Sequence, residues 1–342
     1  MSRTEIAQLG EFGLIERIKS KSQLRNTSSL LSIGDDAAIV APPQSTQMVI
    51  STDMLIEGVH FDLSFAPLSH VGYKAVVVNV SDIAAMNALP SQILVSIALS
   101  NRFSVEAVDE LYEGISKACE NYKIDLVGGD TTSSPSGLVI SITVVGFGDP
   151  NNLVSRSQAK MNDVVCVSGD LGAAYMGLNI LSREKMTFKQ NPDMQPDFRQ
   201  EHEYLIRRQL MPEAKTDLIH ELAELQVVPH AMIDVSDGLA SEALHICKQS
   251  GVGMYLFEDK LPIENETKLA ASEFNISPTT AALNGGEDYE LLFTLSPQAF
   301  EKIKHLPDVF PIGIVKEKEQ GAHLVTSAGE KVPIQAQGWK HF

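Results

Sequence analysis

Apolar residues along the chain fall into two periods, one helical and one short and strand-like. Ile6, Leu9, Phe12, Ile15 and Ile18 recur at helical spacing and predict a helix over residues 5–19. Val108, Leu111, Ile115 and Cys119 share one helical face, and Ser104 ahead of them suits an N-cap. Residues 70–88, and the stretch from about Gly238, also read as helices. Short apolar runs predict strands at 48–51, 93–99, 124–127, 138–147, 164–167 and 231–235. The last segment, to Phe342, alternates short strands with one helix. Residues 184–200 are polar, contain two prolines, and predict a surface loop or mobile insertion.

This alternation predicts an α/β or α+β chain. The turn-formers Gly148-Asp149-Pro150-Asn151-Asn152 place a boundary between domains 1–150 and 151–342. A length of 342 residues accommodates two such domains.

Several apolar runs lead straight into acids. They are Ile33-Gly34-Asp35-Asp36, Ile50-Ser51-Thr52-Asp53, Leu126-Val127-Gly128-Gly129-Asp130, Met232-Ile233-Asp234-Val235-Ser236-Asp237-Gly238 and Leu283-Asn284-Gly285-Gly286-Glu287-Asp288. Asp82 adds a sixth site on a predicted helix. One Asp after a strand is ordinarily a turn or cap residue. Five such places, two of them with paired glycines, favour carboxylates that hold Mg2+ and a polyphosphate. Gathering carboxylates without a cation is costly, because like charges raise each other's pKa. Asp35 and Asp36 are neighbours, so in an extended strand they point to opposite sides and only one ligates directly.

The formal charge of −17 argues against a nucleic-acid partner. Three separated cysteines with no C-x-x-C argue against a disulfide framework or zinc site and fit a reducing compartment. No apolar h-region opens the chain and no run approaches the ~20 residues of a membrane span. A cytoplasmic protein with no membrane partner is expected. P-loop, dinucleotide, protein-kinase, G-x-S-x-G and H-E-x-x-H signatures are all absent.

The ordered motifs resemble those of the thiamine-monophosphate kinase family, within the superfamily of aminoimidazole-ribotide and selenophosphate synthetases. The similarity runs from Glu11-Phe12 through the acidic motifs above, Gly58-Val59-His60-Phe61 and Asn79-Val80-Ser81-Asp82, to Gly285-Gly286-Glu287-Asp288-Tyr289-Glu290 and Gly338-Trp339-Lys340-His341-Phe342. The resemblance implies an N-terminal ATP-binding α/β domain that dimerises through a β-barrel, and a C-terminal α/β domain. It implies that Asp36, Ser51, Thr52, Asp53, Asp82, Asp130, Asp234 and Asp237 bind several Mg2+ ions, with Asp53, Asp130 and Asp237 catalytic. It also implies that Gly129, Asp130, Arg156, Ser236 and Tyr122 touch ATP, and that His60, Glu287 and Trp339 hold thiamine monophosphate. A homodimer is expected by the same analogy.

Three positions depart from the family pattern. Ser32 and Gln158 stand where Gly is usual. Asn87 replaces another Gly, and asparagine tolerates left-handed backbone geometry. The implied reaction is direct phosphoryl transfer from ATP to a phosphate oxygen, giving thiamine diphosphate. A sister synthetase and a nucleotide-binding module without catalysis are the alternatives. The missing N-terminal Cys region argues against the selenium branch, and the intact acidic set argues against lost catalysis.

Overall fold

The computed structural model describes residues 4–34, 37–191, 193 and 200–337, the side chains of Ala7, Glu11 and Phe12 excepted. The chain divides into two compact units, Met1–Ile83 with Ala88–Asn151, and Ala84–Asn87 with Asn152–Phe342. The first carries α1 (Ile6–Lys21), β1 (Ser29–Leu31), β2 (Ile39–Val40), β3 (Gln47–Ile56), α2 (Leu68–Ala85), β4 (Leu89–Leu99), α3 (Val105–Tyr122), β5 (Asp125–Ser133) and β6 (Leu138–Gly148).

Four of these strands form an open sheet in the order β3-β6-β4-β5. Only β4 and β5 run parallel; the other pairs are antiparallel. β6 alternates buried and half-buried positions along its whole length. Ile140, Ile142 and Val144 share one buried face with Ile93, Val95 and Ile97 of β4. α2 packs there so closely that Ile83 Cγ2 would lie 2.5 Å from a Cβ on Gly146.

Helices α2 and α3 cross with their backbones touching. A Cβ on Gly114 would stand 1.7 Å from Ser69 O, and one on Gly72 would stand 2.1 Å from Leu111 O. Ser104 caps α3 as its position predicts, accepting from Ala107 N–H at 3.3 Å, and Val108, Leu111, Ile115 and Cys119 are buried. Segment 25–29 is pinned by the buried Asp125 carboxylate. It accepts from Arg25 N–H (2.5 Å), Asn26 N–H (2.9 Å) and Ser29 Oγ (2.7 Å).

The second unit carries β7 (Val164–Ser168), α4 (Ala173–Gln190), α5 (Glu203–Leu210), α6 (Thr216–Glu224), β8 (Ala231–Asp234), α7 (Leu239–Ser250), β9 (Gly253–Phe257), α8 (Asn265–Glu273), α9 (Pro278–Asn284), β10 (Leu291–Leu295), α10 (Pro297–Ile303), β11 (Val309–Lys316), β12 (Ala322–Val325) and β13 (Lys331–Pro333). Its sheet has the order β13-β12-β9-β11-β7-β10-β8. Only β9 and β12 pair in parallel, so the antiparallel α+β form of the predicted class prevails. One core joins Val165, Val167, Ile233, Leu256 and Leu292 to Leu239, Ala243 and Ile246 of α7. A second joins Met176 and Ile180 of α4 to Leu205 and Ala281.

Four sequence expectations are corrected here. β3 and β5 do not stop before their acids: Asp53 pairs with Ile142 and Asp130 with Ser96, inside the strands. A strand presents successive side chains to opposite faces, so one polar face does not end it. Leu283 and Asn284 close a helix rather than a strand. Residues 184–190 continue α4, because no helix breaker occurs before Asn191; residues 192 and 194–199 lie outside the described residues. Asn87 takes φ 56° as anticipated, and its Nδ2 donates to Asn152 O at 2.8 Å.

Gly114→Ala should cost about 1–3 kcal/mol, because the two helix backbones must part to admit the methyl group. A thermal unfolding curve unchanged from wild type would refute the close crossing.

Candidate active site

In the N-terminal unit, β3 and α2 bring three of the predicted ligands together. Ser51 and Asp53 alternate with Thr52, so they share the side of the sheet that α2 covers. Ser51 Oγ lies 2.5 Å from Asp82 Oδ2 on α2. Burial first, and the Asp82 charge second, push the Asp53 carboxyl from its usual 3.8 up to about 6. Withdrawal from water disfavours the charged form, and the nearby like charge adds to that.

Thr52 points the other way. Its hydroxyl donates to Ile142 O and accepts from Thr143 Oγ1, each at 3.1 Å, so strand alternation separates it from Ser51 and Asp53. Asp130 is exposed on β5, its Oδ1 accepting from Thr131 N–H at 2.9 Å. Two strands lie between β5 and β3, which puts Asp130 roughly 14 Å from Asp53. Within this unit Ser51, Asp53 and Asp82 are neighbours and Asp130 stands apart from them. Gly129 is required by close approach: a Cβ there would stand 1.8 Å from Val95 O.

His60 closes the turn after β3. Its Nδ1 accepts from Ile56 N–H at 3.0 Å, which leaves the ring proton on Nε2. Tyr122 ends α3 and is half-buried. Asp36 and Trp339 lie outside the described residues.

In the C-terminal unit, two loops meet backbone to backbone. Glu287 N–H donates to Ser236 O (2.7 Å), Tyr289 N–H to Val235 O (2.9 Å) and Val235 N–H to Glu290 O (2.7 Å). A Cβ on Gly286 would stand 2.6 Å from Ser236 O, and one on Gly238 would stand 2.7 Å from Leu283 O, so both glycines are required by close approach. The ladder between β8 and β10 thus extends past the strands and sets Glu287 beside Ser236. Asp234 is buried at the end of β8, and Asp237 is exposed three residues on. Arg156 is exposed too, and its carbonyl accepts from Ser250 Oγ at 3.2 Å. Gln158 adopts φ 94°, the geometry a glycine would take without strain.

Sequence reasoning missed the residues that hold these loops. Glu242, in the first turn of α7, accepts from Asp237 N–H (2.8 Å) and Ser236 N–H (3.2 Å) through Oε1. Burial raises its carboxyl to about 7. An acid in a helix's first turn after Asp237-Gly238 was the available signal. Asp288 is fully buried and accepts from Gly172 N–H (2.9 Å) and Ala174 N–H (3.4 Å) at the start of α4. Burial pushes Asp288 up to about 7, against the neighbouring Arg208 charge.

Arg208 Nη2 donates to Glu290 Oε1 (2.9 Å) and Asp288 O (3.1 Å). Lys215 Nζ lies 3.1 Å from Glu290 Oε1, and Ser168 Oγ donates to Glu290 Oε2 at 2.7 Å. Gln209 Nε2 donates to Glu287 Oε2 at 2.8 Å. No sequence pattern announces these distant partners. Elsewhere in the unit Glu201, His202 and Glu273 place ligand-type atoms within 4.8 Å, but Arg183 Nη1 is 3.1 Å from Glu273 Oε2 and makes it an ion-pair network.

Residues 34–147 match the family described as AIR synthase related protein, N-terminal domain, and residues 161–325 match its C-terminal domain. The thiamine-monophosphate kinase of Aquifex aeolicus is 38% identical over 337 residues, 98% of this chain and 99% of that protein. That of Bacillus subtilis is 34% identical over 340 residues, 98% and 100% of the two chains. A solved structure described as "AaThiL complexed with AMPPCP and TMP" is 37% identical, with a TM-score of 0.77 and 100% of each chain covered. The chain belongs to the AIR synthase related family, and within it to the thiamine-monophosphate kinases.

Proposed function

We propose that the chain transfers the γ-phosphoryl group of ATP to the phosphate of thiamine monophosphate, giving ADP and thiamine diphosphate. The observation that carries this reading is similarity over nearly the whole length of both chains to kinases named for that reaction. A neighbour of 37% identity was solved with AMPPCP and TMP.

The acceptor oxygen is already ionised at neutral pH, so no general base is needed. Positioning and charge neutralisation carry an in-line transfer, and it passes directly to the acceptor. Mg2+ is part of the proposal. The Ser51 hydroxyl and the Asp53 and Asp82 carboxylates are hard oxygen donors gathered at one place, the donor chemistry that Mg2+ takes. Bound Mg2+ would neutralise phosphate charge as the transfer proceeds.

Asp130, Asp234, Asp237, Asp36 and Thr52 are assigned to further ions, the Thr52 hydroxyl lying on the side away from Ser51 and Asp53. Asp53, Asp130 and Asp237 are the residues assigned to catalysis. Gly129, Asp130, Arg156, Ser236 and Tyr122 are assigned to ATP. His60, Glu287 and Trp339 are assigned to thiamine monophosphate. Residues 1–150 would form the ATP- and Mg2+-binding domain and 151–342 the C-terminal α/β domain.

A homodimer is supported by the uncovered face of the first sheet. Met48, Ile50, Met54 and Ile56 alternate on the edge strand β3 at 37–59% exposure. Ile50 stands beside Val145 and Met48 beside Phe147 on β6. An apolar face of this kind on an edge strand calls for a cover, and a second copy of the same sheet would close the family's barrel. All three cysteines are free and buried, which fits a reducing compartment, and we place the chain in the cytoplasm. Among the described residues no helix is long and apolar enough to cross a membrane.

Incubating the protein with Mg2+, ATP and thiamine monophosphate should yield thiamine diphosphate; a folded protein that yields none would overturn the assignment. Asp53→Asn should abolish turnover and leave the fold intact. In metal-free buffer the raised Asp53 carboxyl lowers stability as pH climbs from about 4 through about 6. Asp53→Asn should therefore melt ~2–4 °C above wild type at pH 8, a difference lost near pH 4. Adding Mg2+ alone should raise the wild-type melting temperature more than the variant's, and equal shifts would remove Asp53 from the metal site. Light scattering should give a dimer mass at micromolar concentration, and Ile50→Asp should give a monomer. A dimeric Ile50→Asp protein would dismiss the β3 face as the interface.

A further inference from the structure

Glu287 is held in an unusual conformation by main-chain contacts on both sides. Its φ is 58°, in the left-handed region that side chains rarely adopt, and Gly286 and Tyr289 also have positive φ, at 72° and 53°. The strain is sustained by the Glu287 N–H bond to Ser236 O, the Tyr289 N–H bond to Val235 O, and the Asp288 carboxylate at the start of α4. With the backbone fixed, the freedom that remains is in the Glu287 side chain. Gln209 Nε2 restricts it, donating to Oε2 at 2.8 Å from α5. Gln209 is itself buried, so its amide is placed by packing rather than free to follow Glu287.

Consecutive residues of α5 divide the work by charge. Arg208, the cation, reaches the buried Glu290 and the Asp288 carbonyl. Gln209, the neutral donor, reaches Glu287. An amide orients a carboxylate without cancelling its charge, whereas an ammonium would cancel it. Thiamine monophosphate carries a cationic thiazolium and an aminopyrimidine, and an anionic carboxylate complements both.

We propose that Gln209 is a positioning residue for the acceptor site, holding the Glu287 carboxylate in its binding pose through the Nε2–Oε2 hydrogen bond. The proposal rests on the assignment of Glu287 to thiamine monophosphate. Gln209→Met keeps the length and apolar volume of the side chain but removes the donor. It should raise the KM for thiamine monophosphate about tenfold, the loss expected for one charge-assisted hydrogen bond. The KM for ATP and the melting temperature should stay near wild type. Gln209→Lys restores a donor but adds a positive charge, and should raise the same KM.

Steady-state kinetics on Glu287→Gln, Gln209→Met and the double variant form the test. The expected result is a raised KM for thiamine monophosphate in both single variants and no further rise in the double variant, since the two act as one unit. A Glu287→Gln protein with unchanged KM would overturn the acceptor assignment and this proposal with it. A raised KM in Glu287→Gln with an unchanged KM in Gln209→Met would overturn the proposal alone. Equal rises in both KM values for Gln209→Met, with a lowered melting temperature, would reduce Gln209 to a packing role and also overturn it.

Discussion

Burying the Arg208 guanidinium obliges the groups around it to be placed, because a charge left unpaired in the interior costs several kcal/mol. In the C-terminal unit that obligation reaches the candidate acceptor loop. Arg208 neutralises Glu290, which also takes the Ser168 hydroxyl and the Lys215 ammonium, and it holds the carbonyl of Asp288. Asp288 in turn receives the first N–H groups of α4, whose unpaired amides favour an anion. Strand β10, helix α4 and helix α5 are thereby tied at one place. Glu287 sits one residue from that knot, which is why it can keep a left-handed backbone without glycine.

The N-terminal unit solves a different problem with the same sheet geometry. Along β3 the odd positions carry Ser51 and Asp53 under α2, and the even positions carry Met48, Ile50, Met54 and Ile56 outward. One ten-residue strand thus offers a polar, metal-suited side and an apolar side that calls for a partner. A shift of register by one residue would exchange the two sides, so pairing with β6 fixes both roles together. A dimer contact on the outward side would stiffen the strand that carries Ser51 and Asp53.

The helical parts were legible because each rests on local signals: the Ser104 cap, the apolar face of α3, and Asn87 as a left-handed residue all stand as anticipated. The acidic motifs were legible as motifs but not in their positions along the strands. Asp53 and Asp130 lie within their strands rather than after them, because a sheet with one polar side tolerates acids that a simple apolar run does not. The same alternation separates Thr52 from its neighbours, a consequence that the pattern Ser51-Thr52-Asp53 already contained. The stretch 184–190 is polar, yet polarity alone does not end a helix, and α4 continues to Gln190.

What stayed out of reach were contacts between residues far apart in sequence. Gln209 and Glu287 are separated by 78 positions, and Ser168 and Glu290 by 122. No periodicity links such pairs; only the folded sheet order, with β10 between β7 and β8, brings their segments together. Motifs name the groups that meet the substrate, because the chemistry restricts those residue types. The residues that aim them are chosen by packing, so a glutamine on α5 can serve Glu287 without resembling any motif. The specificity of such a site is then set in part by side chains outside its motifs. Two chains with identical acidic motifs can differ in how firmly they hold the same carboxylate.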